Sequence, residues 1–233
     1  MHHLLRKKTL TLLCTVLLCL NSSISLFSQE VDLNLADHDE KRYYLGIGLM
    51  LNNSRFLLNR NFLNVTSQSI YPDEKLGFGL AGIHNFRLSD RFEVRAIFPQ
   101  LLFSYKYINY VNGADTVNKV ESILLGLPVH LKFKSDRINN FRVYAFAGGK
   151  LDLNLSSSKK IRDGQVTKIK QLDTGFEAGF GFNFYFPVFI LSPEIKISNG
   201  LQNIHIKEPA NIYSNQIDQL KSRMVVLSFI FEG

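Results

Sequence analysis

From Arg42 onward the chain alternates between apolar and polar positions. Between Gln171 and Phe186, Phe176, Ala178, Phe180, Phe182, Phe184 and Phe186 fall on one face. Glu177, Gly179, Gly181, Asn183 and Tyr185 fall on the other. A period of two is that of a strand, since a helix would return its apolar positions about every three to four residues. The same alternation sets Ile123, Leu125, Leu127, Val129, Leu131 and Phe133 against Ser122, Gly126, His130 and Lys132. It also sets Val143, Ala145, Ala147, Leu151 and Leu153 against Arg142, Tyr144, Lys150, Asp152 and Asn154. Between Arg91 and Tyr107 the phase changes at Pro99, where a bulge would shift the register by one residue. Further strands are expected near 42–51, 75–88, 188–198 and 221–232, which brings the total to eight.

The connections alternate in length. Those at 52–74, 109–119, 156–170 and 199–220 are long, while 89–90, 135–140 and the turn at Pro187 are short. Short turns on one side and long loops on the other are the asymmetry of outer-membrane barrels, with the short turns facing the periplasm. A soluble β-sandwich would use strands of about five or six residues with polar outer faces, and this chain has neither. The pattern therefore predicts an all-β fold, an eight-stranded antiparallel transmembrane β-barrel over 42–233. Glycines at 46, 48, 77, 79, 179 and 181 suit the crowded interior of so small a ring.

The first 28 residues read as a signal peptide, with Arg6, Lys7 and Lys8 ahead of an apolar run from Thr9 to Leu20. That run is shorter than the roughly 20 residues a membrane helix needs. Both cysteines, Cys14 and Cys19, lie inside it, so no disulfide is expected after processing. The signal holds three of the 27 basic residues and none of the 20 acidic ones, so the net charge of +7 falls to +4 beyond it. With no basic-aromatic cluster, nucleic-acid binding is not expected. Residues 29–41 read as an acidic periplasmic lead-in, a solvated tether carrying Glu30, Asp32, Asp37, Asp39 and Glu40.

Candidate chemistry lies on the inward face. Arg87, Glu93, Arg95, Lys132, Arg142, Lys150, Asp152, Glu177, Glu194 and Lys196 point to a polar lumen network. It is either a conduit or, as eight strands favour, a mutually neutralising filling. No histidine stands two residues before a serine, the pattern of some lipid-deacylating barrels, and His130 reads as a structural hydrogen-bonding residue. No metal-ligand spacing and no phosphate-binding loop occur, so neither an enzyme, a cofactor nor a small-molecule substrate is expected. Residues 210–221 read equally well as a short helix or a plain loop.

Lys134-Ser135-Asp136-Arg137-Ile138-Asn139-Asn140, followed by Arg142, Tyr144, Gly148 and Gly149, then Ser192-Pro193-Glu194-Ile195-Lys196 and Leu220 to Phe229, resemble the PorT family. These are small outer-membrane barrels of Bacteroidetes linked to the type IX secretion system. The resemblance implies a part in exporting cargo proteins across the outer membrane, and in gliding where the organism glides. It implies partners among secretion proteins and no catalytic residues. The polar tip of the short turn (Ser135, Asp136, Arg137, Asn139 and Asn140) is then a candidate contact with a periplasmic partner. The plainer reading is that Asp136, Asn139 and Asn140 cap the turn. The alternative to a secretion role is a stand-alone OmpX-like barrel that binds through its long extracellular loops.

Overall fold

The computed structural model describes residues 32–60, 69–111, 116–158, 168–207 and 217–233. The expected signal at 1–28 lies outside them. Among the described residues eleven strands form: β1 (Tyr43–Arg60), β2 (Ser69–Arg87), β3 (Phe92–Val111), β4 (Thr116–Gly126), β5 (Val129–Lys134), β6 (Phe141–Asn154), β7 (Lys168–Ile169), β8 (Leu172–Tyr185), β9 (Ile190–Gly200), β10 (His205–Ile206) and β11 (Ile217–Glu232). β4 and β5 succeed one another as a single stave, and β7 pairs with β10 in a separate two-stranded ribbon. The remainder make a ring of eight antiparallel staves, closed where β11 returns to β1 with Gly46 opposite Glu232 and Leu58 opposite Leu220. Closure leaves no edge strand, which is what lets a sheet stand in hydrocarbon with every backbone group paired.

Alternation decides which side chains face lipid. On β1, Tyr43, Leu45, Ile47, Leu49 and Leu51 point outward and are exposed, while Tyr44, Met50, Asn52 and Ser54 point inward and are buried. The outward apolar run on this strand, Tyr43 to Leu51, matches the 9–11 residues that cross the apolar layer. Above it Asn53 and Arg55 take the outward positions, and the continuous apolar run on β1 ends there. Each exposed leucine-sized side chain gains about 1.5–3 kcal/mol on leaving water, so this surface is stable in lipid rather than in solution. Around the short-turn end, outward aromatics meet in pairs. Tyr43 and Phe86 have centroids 4.8 Å apart, Phe92 and Phe133 5.3 Å, and Phe186 and Phe189 5.0 Å. They form the interfacial girdle typical of such barrels.

The phase change at Pro99 is a bulge. Opposite β2, the pairing steps from Ile83–Ile97 to Ala81–Gln100, so Phe98 and Pro99 face Gly82 alone. The stave read as one strand between Ser122 and Phe133 is interrupted at Leu127-Pro128, because Pro128 has no N–H to donate. Its carbonyl still accepts from Ile97 N at 3.0 Å. The long connections are shorter than expected, because β1, β2, β3 and β11 run on past the membrane. Residues 52–60 and 69–74 are strand, not loop, as are 217–220. A helix over 210–221 is thereby excluded at Ile217–Lys221, and 210–216 lie outside the described residues. Near this outer end Phe56, Ile204, Ile217 and Leu220 form a small apolar cluster beneath the β7–β10 ribbon.

The lead-in is not a free tether. Residues 36–40 form a 3-10 turn, and Asn34–Gly233 make one compact unit. His38 is only 3% exposed and meets the Tyr44 ring edge-on at 4.4 Å. Leu35 takes φ 52°, a left-handed conformation that costs a non-glycine residue about 1–2 kcal/mol and that its neighbours' contacts must offset. The sequence showed five acids and no reason to fold. The reason is cationic and lies on the barrel.

Candidate functional site

Two clusters stand out, one in the mid-lumen and one at the short-turn mouth. In the lumen, Arg95 from β3 is wholly buried. Its Nη1 donates to Glu194 Oε2 at 2.7 Å, its Nη2 to Glu232 Oε1 at 3.1 Å and its Nε to Asn85 Oδ1 at 2.9 Å. Tyr144 donates its hydroxyl to the same Glu194 oxygen at 3.0 Å, and Asn85 Nδ2 donates to Glu232 at 2.9 Å. Lys132 lies over the Tyr144 ring, 4.0 Å from its centroid. Glu93 accepts from Tyr44 and pairs with Lys134 Nζ at 2.8 Å.

Further charges pair nearby. Glu177 Oε2 accepts from Lys196 Nζ at 2.6 Å and lies 2.9 Å from His130 Nε2. Lys150 donates to Asp152 at 2.6 Å, and Ser222 to Asp173. Along the same strands, further from the short turns, the lumen is apolar, with Met50, Ile83, Ile97, Leu102, Met224 and Val226 packed together. The filling is close enough that a Cβ added to Gly181 would sit 2.5 Å from the Tyr144 hydroxyl. With Arg95 and Glu194 screened from solvent, this layer is a solid stopper.

At the mouth, Asp39 sits among three guanidinium groups. Arg142 Nη1 lies 3.0 Å from Oδ1, Arg137 Nη1 3.2 Å from Oδ2 and Arg87 Nη2 3.7 Å from Oδ1. Arg137 also donates to the Asn34 carbonyl, to Asn140 Oδ1 at 2.9 Å and to the Asn139 carbonyl at 2.7 Å, and stacks 3.7 Å over Tyr185. The Asn140 oxygen in turn accepts from Asn34 N at 2.9 Å. His38, beside this cluster, is held down to a pKa of about 4 because burial disfavours its charged form.

The predicted lumen residues are therefore brought together in three groups. Arg95, Glu93, Lys132 and Glu194 form the central layer, Glu177 and Lys196 a second pair, and Lys150 and Asp152 a third. Arg87 and Arg142 belong instead to the mouth. Of the turn residues, Arg137 and Asn140 are engaged within the chain. Ser135 accepts from Val143 N at 3.2 Å, and Asn139 takes φ 53°, a left-handed position that asparagine tolerates. Asp136 projects, its side chain 79% exposed, with Arg91 3.0 Å away. His130 has the hydrogen-bonding role expected of it. His84, outward on β2, joins Tyr43 at 2.9 Å and the Phe98 carbonyl at 3.1 Å.

Sequence reasoning missed Glu232, Lys134, Asn85 and Asp39. The parity of the last strand, with Ser222, Ser228 and Glu232 on one face, carries the signal for Glu232. Nothing local marks Asp39, which differs from its acidic neighbours only in what it reaches. Among the described residues, no group of three His, Cys, Asp or Glu side chains is placed to hold a metal.

No curated protein matches the chain at a significant level of sequence similarity. Among solved structures, the chain resembles the outer membrane protein OprG of Pseudomonas aeruginosa, with 11% identity over 82% of this chain and 95% of that one, at a TM-score of 0.50. It also resembles Neisserial surface protein A, with 11% identity over 80% and 95% and a TM-score of 0.42. A third is the attachment invasion locus protein Ail of Yersinia pestis, with 14% identity over 83% and 100% and a TM-score of 0.41. The OprG likeness supports the barrel topology at the level of fold. The outer membrane protein beta-barrel domain model matches residues 27–205, and with the closed ring and lipid-facing band it shows that the chain is an outer-membrane β-barrel belonging to that family.

Proposed function

We propose that this barrel is a non-conducting, non-enzymatic component of protein secretion that works at its periplasmic end, as the PorT resemblance implies. The observation that carries the reading is where the built polar surface lies. The lumen is stoppered by Arg95, Glu194 and Glu232, whereas the mouth fixes the Asn34–Lys41 segment and the Lys134–Asn140 turn into one surface around Asp39. A barrel of this kind offers a rigid periplasmic platform, not a path for solute. Asp136 and Ile138 project from that surface and are the side chains best placed to meet a secretion partner.

Deletion of the gene tests the role. Cargo proteins should accumulate in the periplasm and leave the medium, and the intact gene should restore export. Unchanged export would remove the secretion reading. In that event the second reading takes over, a surface binder of the OmpX type. The outward extension of β1, β2 and β3 beyond the lipid band favours it. Trimming those strand tips would then abolish function while secretion stayed intact.

A further inference from the structure

We infer that the periplasmic mouth is a receptor for an acidic peptide, and that the Asn34–Lys41 segment occupies it in cis. Three arginines, Arg87 at the end of β2 and Arg137 and Arg142 in and beside the turn before β6, converge on a single carboxylate, that of Asp39. One charge among three leaves donors unspent. Arg87 Nε and Arg142 Nε are buried and have no hydrogen-bond partner. Two neighbouring cations do not share this excess, since Lys134 is committed to Glu93 and Arg91 to Asp136.

The occupant is a peptide by the way it is read. Arg137 donates to the Asn34 carbonyl and Asn140 accepts from the Asn34 amide. Contacts to main-chain N–H and C=O recognise a polypeptide, which a lone anion or a lipid headgroup would leave unpaired. The hold is also partial. The Asp39 side chain is 31% exposed, against 8–11% for the three arginines, and Asp37 and Glu40 point to solvent. An acidic segment of a periplasmic protein that presents two neighbouring carboxylates would use the spare guanidinium donors and displace the segment. Bidentate pairing of this kind is the strong form of a charge-assisted contact. The inference stands whether or not the barrel serves secretion.

The test uses the full chain in phosphatidylcholine nanodiscs, with fluorescein-labelled hexaglutamate as probe and anisotropy as readout. Asp39→Asn, which weakens the cis occupant, should bind the probe about tenfold tighter than the wild type, the scale of one charge-assisted contact. Adding Arg142→Gln or Arg137→Gln to Asp39→Asn should lose that gain. Equal binding to wild type and Asp39→Asn, or a gain that survives both arginine changes, would overturn the proposal. A second measurement needs no substitution. Hexaglutamate should raise the reactivity of buried His38 toward diethyl pyrocarbonate in the wild-type protein, and hexalysine should not. No change in His38 reactivity, or the same change brought about by discs of phosphatidylglycerol without peptide, would equally overturn it, the latter by giving the site to lipid phosphate.

Discussion

Arg95 Nη1 and Glu194 Oε2 lie 2.7 Å apart on opposite walls of the barrel, and neither side chain is exposed. Desolvating two such charges costs several kcal/mol each, and their attraction offsets this only with further hydrogen bonds. Asn85, Tyr144 and Glu232 supply them. The pair is thus less a source of net stability than a filling that tolerates no missing member.

Glu194→Ala should destabilise the barrel by about 3–5 kcal/mol, because Arg95 keeps its charge and loses its closest partner. Glu194→Gln, which preserves shape and one acceptor, should cost less. Urea unfolding of the protein in micelles, followed by heat-modifiable gel mobility, orders the two. Equal midpoints for wild type and Glu194→Ala would contradict the assignment.

Packing makes a second prediction. A methyl on Gly181 would meet the Tyr144 hydroxyl at 2.5 Å, while one on Gly149 has nothing closer than 3.9 Å. Gly181→Ala should therefore cost about 1–3 kcal/mol, the usual range for overpacking. Gly149→Ala should be close to neutral in the same assay. A reversed order would show that the lumen is looser than the Tyr144–Gly181 contact implies.

The lipid boundary on β1 can be located by charge. Ile47 is central to the outward apolar run from Tyr43 to Leu51, so Ile47→Arg should cost about 2–4 kcal/mol, as arginine does near a bilayer midplane. Arg55→Ala, above the band, should leave stability unchanged. Refolding into vesicles, read by gel mobility, separates the two.

Low pH should loosen the mouth segment. His38 is neutral when docked, with its pKa lowered from 6.5 to about 4, so the proton binds the released segment in preference. Asp39 and Glu232 draw the proton toward the docked ring, Lys41 and Arg87 oppose it, and burial outweighs them all. Docking is fully held above pH 6.5 and weakens as pH falls toward 4. Hydrogen exchange at the Lys41 amide, which donates to the His38 carbonyl at 3.2 Å, reports it once corrected for intrinsic rate. In His38→Phe the loss of protection with falling pH should disappear.

Much of the ring was legible because lipid and lumen impose one rule on every stave. The parity of Phe176 to Phe186, the turn at 135–140 and the shift at Pro99 follow from it directly. Where strands outrun the membrane the rule lapses. Asn52 to Arg60 read as loop because Asn53, Arg55 and Asn59 make most of their outward positions polar, yet pairing with β11 keeps them extended. The lumen charges were visible as inward residues, but their partners were not, since pairing across a barrel depends on height as well as parity. Glu232 was lost for that reason, and Asp39 because nothing local sets it apart from the acids around it. Each is the acid that completes a cluster begun far away in sequence.

Glu232 carries a consequence for assembly. It lies opposite Gly46, at the seam where the eighth stave meets the first, and it supplies the second carboxylate for Arg95 on β3. Until that seam zips, the stopper holds an arginine with half of its compensation, in surroundings that strongly penalise an uncompensated charge. Partly formed sheets are therefore electrically incomplete as well as open-edged. Geometry and charge balance are satisfied in the same event, and the last strand to arrive both shuts the cylinder and neutralises its centre.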